Sequence, residues 1–145
     1  MIVHLHGVHY AREYGLDTTF EPYVAKPLAD FVLSGAGRLW IADDGTRVVG
    51  SIAVVDAPAD EGQLRWFLLA PEARGTGLGR RILATALDYC RQRCMSRIFL
   101  WSFADLNAAL RLYEQAGFRI TETKTSHLWG SERTEVRMDL VLPKE

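Results

Sequence analysis

Residues 74–80 read Arg-Gly-Thr-Gly-Leu-Gly-Arg, so three glycines alternate with Thr76 and Leu78 between cations. A strand-like run, QLRWFLLA, comes before them and an amphipathic helical run follows. A helix start carries unpaired N–H groups and a partial positive charge. Gly75, Gly77 and Gly79 would let that backbone approach an anion with no Cβ in the way. Arg74 and Arg80 would add charge-assisted hydrogen bonds. The stretch therefore reads as a phosphate cradle. Spacing narrows the ligand. A nucleotide-hydrolase loop needs Lys-Ser/Thr after its last glycine, and Arg80-Arg81 stand there. The dinucleotide fingerprint needs glycine at position 80, which is Arg80. A plain turn would need one glycine, not three flanked by arginines.

Other reactive residues read more blandly. His4, His6 and His9 cluster near the start with no acidic or thiolate neighbour, so no metal is expected. Cys90 reads as a small core residue and Cys94 as a half-exposed one at a helix end. Two cysteines make no disulfide framework. Trp40, Trp66, Trp101 and Trp129 suit a sheet core. Trp66 and Trp129 could instead line a substrate pocket.

The positioning elements follow from hydrophobic periodicity. Helices are expected over 6–15, stopped by Gly15, and over 18–35, capped by Thr19, with Pro22 in its first turn and a kink or break at Pro27. Strands are expected over 38–44 and 46–57 around an Asp44-Gly45 turn, and over 62–71. A helix over 77–94 should bury Ile82, Leu83, Ala86, Leu87 and Cys90. A strand over 96–103, a helix over 106–117 and strands over 118–125 and 134–142 complete the order. The last strand alternates strictly, with Val136, Met138, Leu140 and Leu142 on one side. The fold class is α/β (α+β): a mixed sheet with helices on both faces.

The chain's 145 residues suit a single domain, 1–145. Apolar residues at 48% and charged residues at 24% argue against disorder. A net charge of −1 disfavours nucleic acid as a partner, so any cationic site must be local. The start has no basic n-region or long apolar run, and no stretch reaches the roughly 18–20 apolar residues of a membrane span. The expectation is a cytoplasmic protein with no membrane partner.

Residues 74–79 match in full the pattern Gln/Arg-x-x-Gly-x-Gly/Ala of the acetyl-CoA pyrophosphate loop in the GNAT family of N-acetyltransferases. LLAPEAR resembles the approach to that loop, and LYEQAGF, residues 112–118, resembles the family's second signature. The chain as a whole resembles that family. YAREYGLDTTFE and HLWGSERTEVRMDLVL are similar to the acetyltransferase half of proteins that fuse a MarR-type regulator to such a domain.

The resemblance implies a mostly antiparallel sheet splayed beside the strand carrying WFLL, with acetyl-CoA as co-substrate and no metal. It implies that backbone groups of Phe67, Leu68 and Leu69 hold the pantetheine arm. One of these N–H groups would also stabilise the developing oxyanion. Residues Arg74, Gly75, Thr76, Gly77, Leu78, Gly79 and Arg80 would hold the pyrophosphate. Tyr113 corresponds to the family's general acid, since a departing thiolate with a pKa of about 8.5 gains a proton; the plainer reading is a core aromatic. The family's asparagine falls one residue late, at Asn107, and one helical step turns a side chain by about 100°. An amine with a pKa of about 10.4 needs a base, and the candidates are Glu61, His127 and Glu135. The acceptor would be a small-molecule or peptide amine. The alternative is a non-catalytic acyl-CoA sensor. The alternating last strand could pair across a homodimer.

Overall fold

The computed structural model describes residues 36–128 and 130–143. The two expected N-terminal helices, the Pro27 kink, the histidine cluster and Trp129 lie outside these residues. Six strands are present: β1 Gly37–Asp43, β2 Val48–Ala57, β3 Glu61–Leu69, β4 Arg97–Phe103, β5 Arg119–Leu128 and β6 Ser131–Val141. Two helices join them, α1 Leu78–Gln92 and α2 Asn107–Ala116. The sheet order is β1-β2-β3-β4-β6-β5. Only β3 and β4 run parallel, because α1 carries the chain across between them. This is the mixed, mostly antiparallel sheet that the periodicity and the resemblance led us to expect.

The β1–β2 turn is longer than a two-residue hairpin. Asp44 Oδ1 accepts hydrogen bonds from the Thr46 N–H at 2.9 Å and the Arg47 N–H at 3.1 Å. These bonds hold the Asp44 carboxyl below its usual pKa. Strand β2 therefore starts at Val48 rather than at Thr46.

Both described helices pack on one face of the sheet. Leu83, Ala86, Leu87 and Cys90 of α1 and Tyr113 of α2 share a core with Ile52, Leu64, Ile98, Leu100, Phe118 and Met138. Each helix presents an apolar stripe at 3.6-residue spacing and leaves its charges outside. Ile82 packs at the margin of that core rather than within it.

The edge-to-edge dimer expected of the last strand needs correction. β6 pairs with β4 from Glu135 to Val141 and with β5 from Ser131 to Asp139. Both of its edges are spent inside the sheet. The strand that ends the sheet on this side is β5. Strict alternation marks a strand with two different faces, and it does not mark one with an open edge.

Candidate functional site

The sheet opens where the cofactor strand was expected. β3 pairs with β4 only at Glu61↔Arg97, Gly62↔Ile98 and Gln63↔Phe99. From Leu64 to Leu69 no described strand pairs with the β4-facing edge of β3. A wedge-shaped gap results, with the Phe67–Leu69 edge of β3 turned towards it.

A bulge forms that wall. Ser51 is paired with Leu68 and Ala53 with Arg65, so Trp66 and Phe67 together oppose Ile52. Trp66 takes the left-handed conformation, φ 51°. This is an uncommon backbone for a bulky residue, and it strengthens the local twist. The Ser51 hydroxyl donates to the Trp66 carbonyl at 2.7 Å. Arg65 lies over the Trp66 ring, 4.9 Å from its centroid.

The three loop glycines have two different jobs. Gly75 (φ 77°) and Gly77 (φ 83°) are left-handed, and a Cβ on either would meet nothing within 4 Å. Their side of the loop is open, as an anion cradle needs. Gly79 is buried, and a Cβ there would lie 2.9 Å from Leu69 Cδ1 and 3.4 Å from Leu112 Cδ2. Its missing side chain lets α1, β3 and α2 converge. Gly77 caps α1, and the first helical bond runs from the Arg81 N–H to the Gly77 carbonyl at 3.2 Å. The first turn holds no acidic residue. Thr76 Oγ donates to the Ala73 carbonyl at 2.6 Å and receives the Leu78 N–H at 3.4 Å. Arg74 and Arg80 are exposed beside the loop. Glu72, just before it, pairs with Arg47 of the β1–β2 turn. Open glycines, a turn without carboxylates and adjacent cations fit a pyrophosphate.

Phe67 points to the helix side, its ring centroid 5.8 Å from that of Tyr113. Tyr113 is only 6% exposed and also meets Phe118 at 5.9 Å. Loop, bulged strand and Tyr113 therefore meet at one end of the wedge. Asn107 does not join them as a buried group; it is the exposed first residue of α2.

The three base candidates separate. Glu61 stands at the closed end, paired with Arg97 and 3.9 Å from its Nε. His127 is exposed on β5. Glu135 pairs with Phe103, the last residue of β4, and so stands at the open end. Towards the closed end, β6 carries a buried carboxylate, Asp139. It accepts from Arg137 Nε at 2.9 Å, Arg97 at 3.3 Å and Thr121 at 2.6 Å. Burial pushes its pKa up, but these hydrogen bonds win and hold it below the usual value. This cluster braces β4, β5 and β6. Burial also pushes the Cys90 thiol up to about 12. Among the described residues no group of His, Cys, Asp or Glu is placed to hold a metal, and no helix is long and apolar enough to cross a membrane.

Sequence reasoning did not single out Ser51, although a lone hydroxyl in the run VVGSIAVV needs a partner once buried. It also passed over Ser126 and Arg133, register partners in the β5–β6 hairpin. Their Oγ and Nε atoms are sealed from solvent and have no hydrogen-bond partner among the described residues.

Comparison with known proteins agrees with this geometry. The family described as "Acetyltransferase (GNAT) family" matches residues 7–118. The chain is 31% identical over 114 residues to probable N-acetyltransferase family 8 member 5 of Mus musculus, covering 70% of this chain and 50% of that protein. It is 31% identical over 101 residues to mycothiol acetyltransferase of Renibacterium salmoninarum, covering 66% and 30%. The chain thus spans half the length, or less, of these curated relatives. Among solved structures, ribosomal-protein-alanine N-acetyltransferase from Brucella melitensis superposes with a TM-score of 0.77 at 18% identity, covering 97% of this chain and 92% of that one. The yncA protein of Salmonella typhimurium, solved with acetyl-CoA, gives 0.75 at 17%, covering 99% and 88%. These two likenesses show the fold. Taken with the match over most of its length, they lead to one assignment: the chain belongs to the GNAT acetyltransferase family.

Proposed function

We propose that the chain moves an acetyl group from acetyl-CoA to a primary amine, by direct attack of the amine on the thioester. Acetyl-CoA supplies the activated acyl group. Residues Arg74 to Arg80 hold its pyrophosphate, through the N–H groups of the first turn of α1 and the two arginines. The edge of β3 at Phe67, Leu68 and Leu69 holds the pantetheine arm and offers an N–H to the thioester oxygen. Holding both reactants in the wedge makes the step nearly unimolecular. Tyr113 delivers the proton that the departing thiolate needs, and Asn107 lies at the cofactor's edge. Glu135 is the base candidate best placed, since it stands at the open end directly beside the last residue of β4, whereas His127 lies one strand farther out on β5.

The observation that carries this reading is the meeting of the bulged β3, which has parted from β4, with an acid-free helix start beside Tyr113. The test mixes protein, acetyl-CoA and a broad amine panel and follows release of free CoA thiol. Steady release with at least one amine is expected. Tight acetyl-CoA binding with no release for any amine would sink catalysis.

A second reading has its own support. Tyr113 is buried between two aromatic rings, as a purely structural tyrosine would be. The chain would then be an acyl-CoA sensor without turnover, in keeping with the likeness to regulator-fused acetyltransferase halves. On either reading we take residues 1–145 as a single domain, cytoplasmic, metal-free and without nucleic-acid or membrane partners. A homodimer would use a surface other than the edges of β6.

A further inference from the structure

Ser126 and Arg133 face each other across β5 and β6. Ser126 Oγ and Arg133 Nε are both sealed from solvent, and neither has a hydrogen-bond partner among the described residues. Arg133 Nη1 is already engaged, 3.1 Å from Asp105 Oδ2. That bond leaves Nε without a partner among the described residues. Buried donors in folded proteins are almost always paired, and an arginine serving only the fold would be paired at Nε too. The Nε–H and the neighbouring Nη2 of a guanidinium together match the two oxygens of a carboxylate. The Ser126 hydroxyl adds a third donor.

The place matters as much as the chemistry. The Ala104 N–H donates to the Thr134 carbonyl at 2.8 Å, and Phe103 pairs with Glu135. Arg133 therefore stands just beyond the end of β4, at the end of the sheet where β3 and β4 have separated and one strand across from that gap. It also lies beyond residue 118, where the match to the family's sequence model ends. Asp105 already offsets the arginine, and Glu132 and Glu135 flank it in the strand. A monoanion suits that balance better than a phosphate.

We infer that Arg133 and Ser126 receive a carboxylate carried by the acceptor, so the acceptor class is an amine that bears a carboxylate, such as an amino acid. This rests on the acetyl-transfer reading above. Both residues are half-buried rather than fully enclosed, so a carboxylate can approach the pair from the exposed side.

The test uses matched pairs: alanine with alaninamide, β-alanine with β-alaninamide, phenylalanine with phenylalaninamide. Binding to the CoA-loaded protein is measured by calorimetry, and turnover by thiol release. The wild type is expected to favour the acid of at least one pair by about 30-fold. Arg133→Gln and Arg133→Lys should erase that preference by weakening the acid alone, with the amide unchanged. Ser126→Ala should weaken the acid about fivefold. Melting curves identify any variant that fails to fold, and Ser126→Ala then carries the test. Equal treatment of acid and amide by the wild type overturns the inference, as does a folded Arg133 variant that weakens both alike or binding of neither member of any pair. Acid-selective binding without turnover would keep the inference and sink the catalytic reading. Turnover without acid preference would do the reverse.

Discussion

The Ser51 hydroxyl and the Trp66 carbonyl, 2.7 Å apart, hold the bulge that turns β3 into one wall of the wedge. Ser51 is fully buried, so no water replaces it. Ser51→Ala leaves the Trp66 carbonyl without this donor. We predict a loss of about 2 kcal/mol in urea unfolding, together with weaker acetyl-CoA binding as the Phe67–Leu69 edge relaxes. Unchanged stability would show that the bulge needs no anchor.

The loop glycines should separate by mechanism. Gly79→Ala places a Cβ against Leu69 Cδ1 and pushes α1 off β3, costing about 1–3 kcal/mol. Gly77→Ala strains a left-handed backbone in open space, costing about 1 kcal/mol. Gly77→Asn should recover much of that, because asparagine tolerates this conformation. Thermal melts and acetyl-CoA titrations of the three variants check the order. Equal costs for Gly77→Ala and Gly77→Asn would contradict it.

Tyr113→Phe keeps the ring between Phe67 and Phe118 and removes only the hydroxyl. If the hydroxyl protonates the departing thiolate, kcat falls about 100-fold, the melting temperature moves little and the acetyl-CoA affinity holds. A sensor would lose stability at most. Steady-state kinetics alongside melting curves separate the two outcomes.

The two cysteines should differ in reactivity. Cys94 is exposed and Cys90 is fully buried, its thiol pushed up to about 12 by burial. A thiol reagent at pH 8 should titrate one group quickly in the native chain and two after unfolding. The folded value lies above the unfolded one, so the linked stability is complete below about pH 8.5 and is lost as pH rises towards about 12. Urea midpoints that fall from pH 8 to pH 10 in the wild type, and fall less in Cys90→Ala, would bear this out.

Most of the fold could be read in the chain because its signals are local. The stripe from Leu83 to Cys90 and the alternation from Val136 to Leu142 each reflect one element meeting one core. The glycine turn was equally plain, although Gly79 proved to be a packing residue as much as a cradle residue. What could not be read depends on pairs distant in sequence. The bulge at Trp66 needs Ser51, and no glycine marks it. The enclosed edges of β6 depend on β4 and β5 closing on both sides. Glu61 looked available until its register with Arg97 placed it at the closed end. The unspent donors of Ser126 and Arg133 become visible only once the hairpin brings them together.

The most direct test of direct acetyl transfer uses acetyl-CoA labelled in the acetyl carbon, mixed with the protein and an accepted amine in a single turnover. The account predicts that label passes to the amine as free CoA thiol appears, at equal rates, with no label left on the protein. Label that stays in acetyl-CoA while the cofactor remains bound, or that first accumulates on the protein, would contradict it.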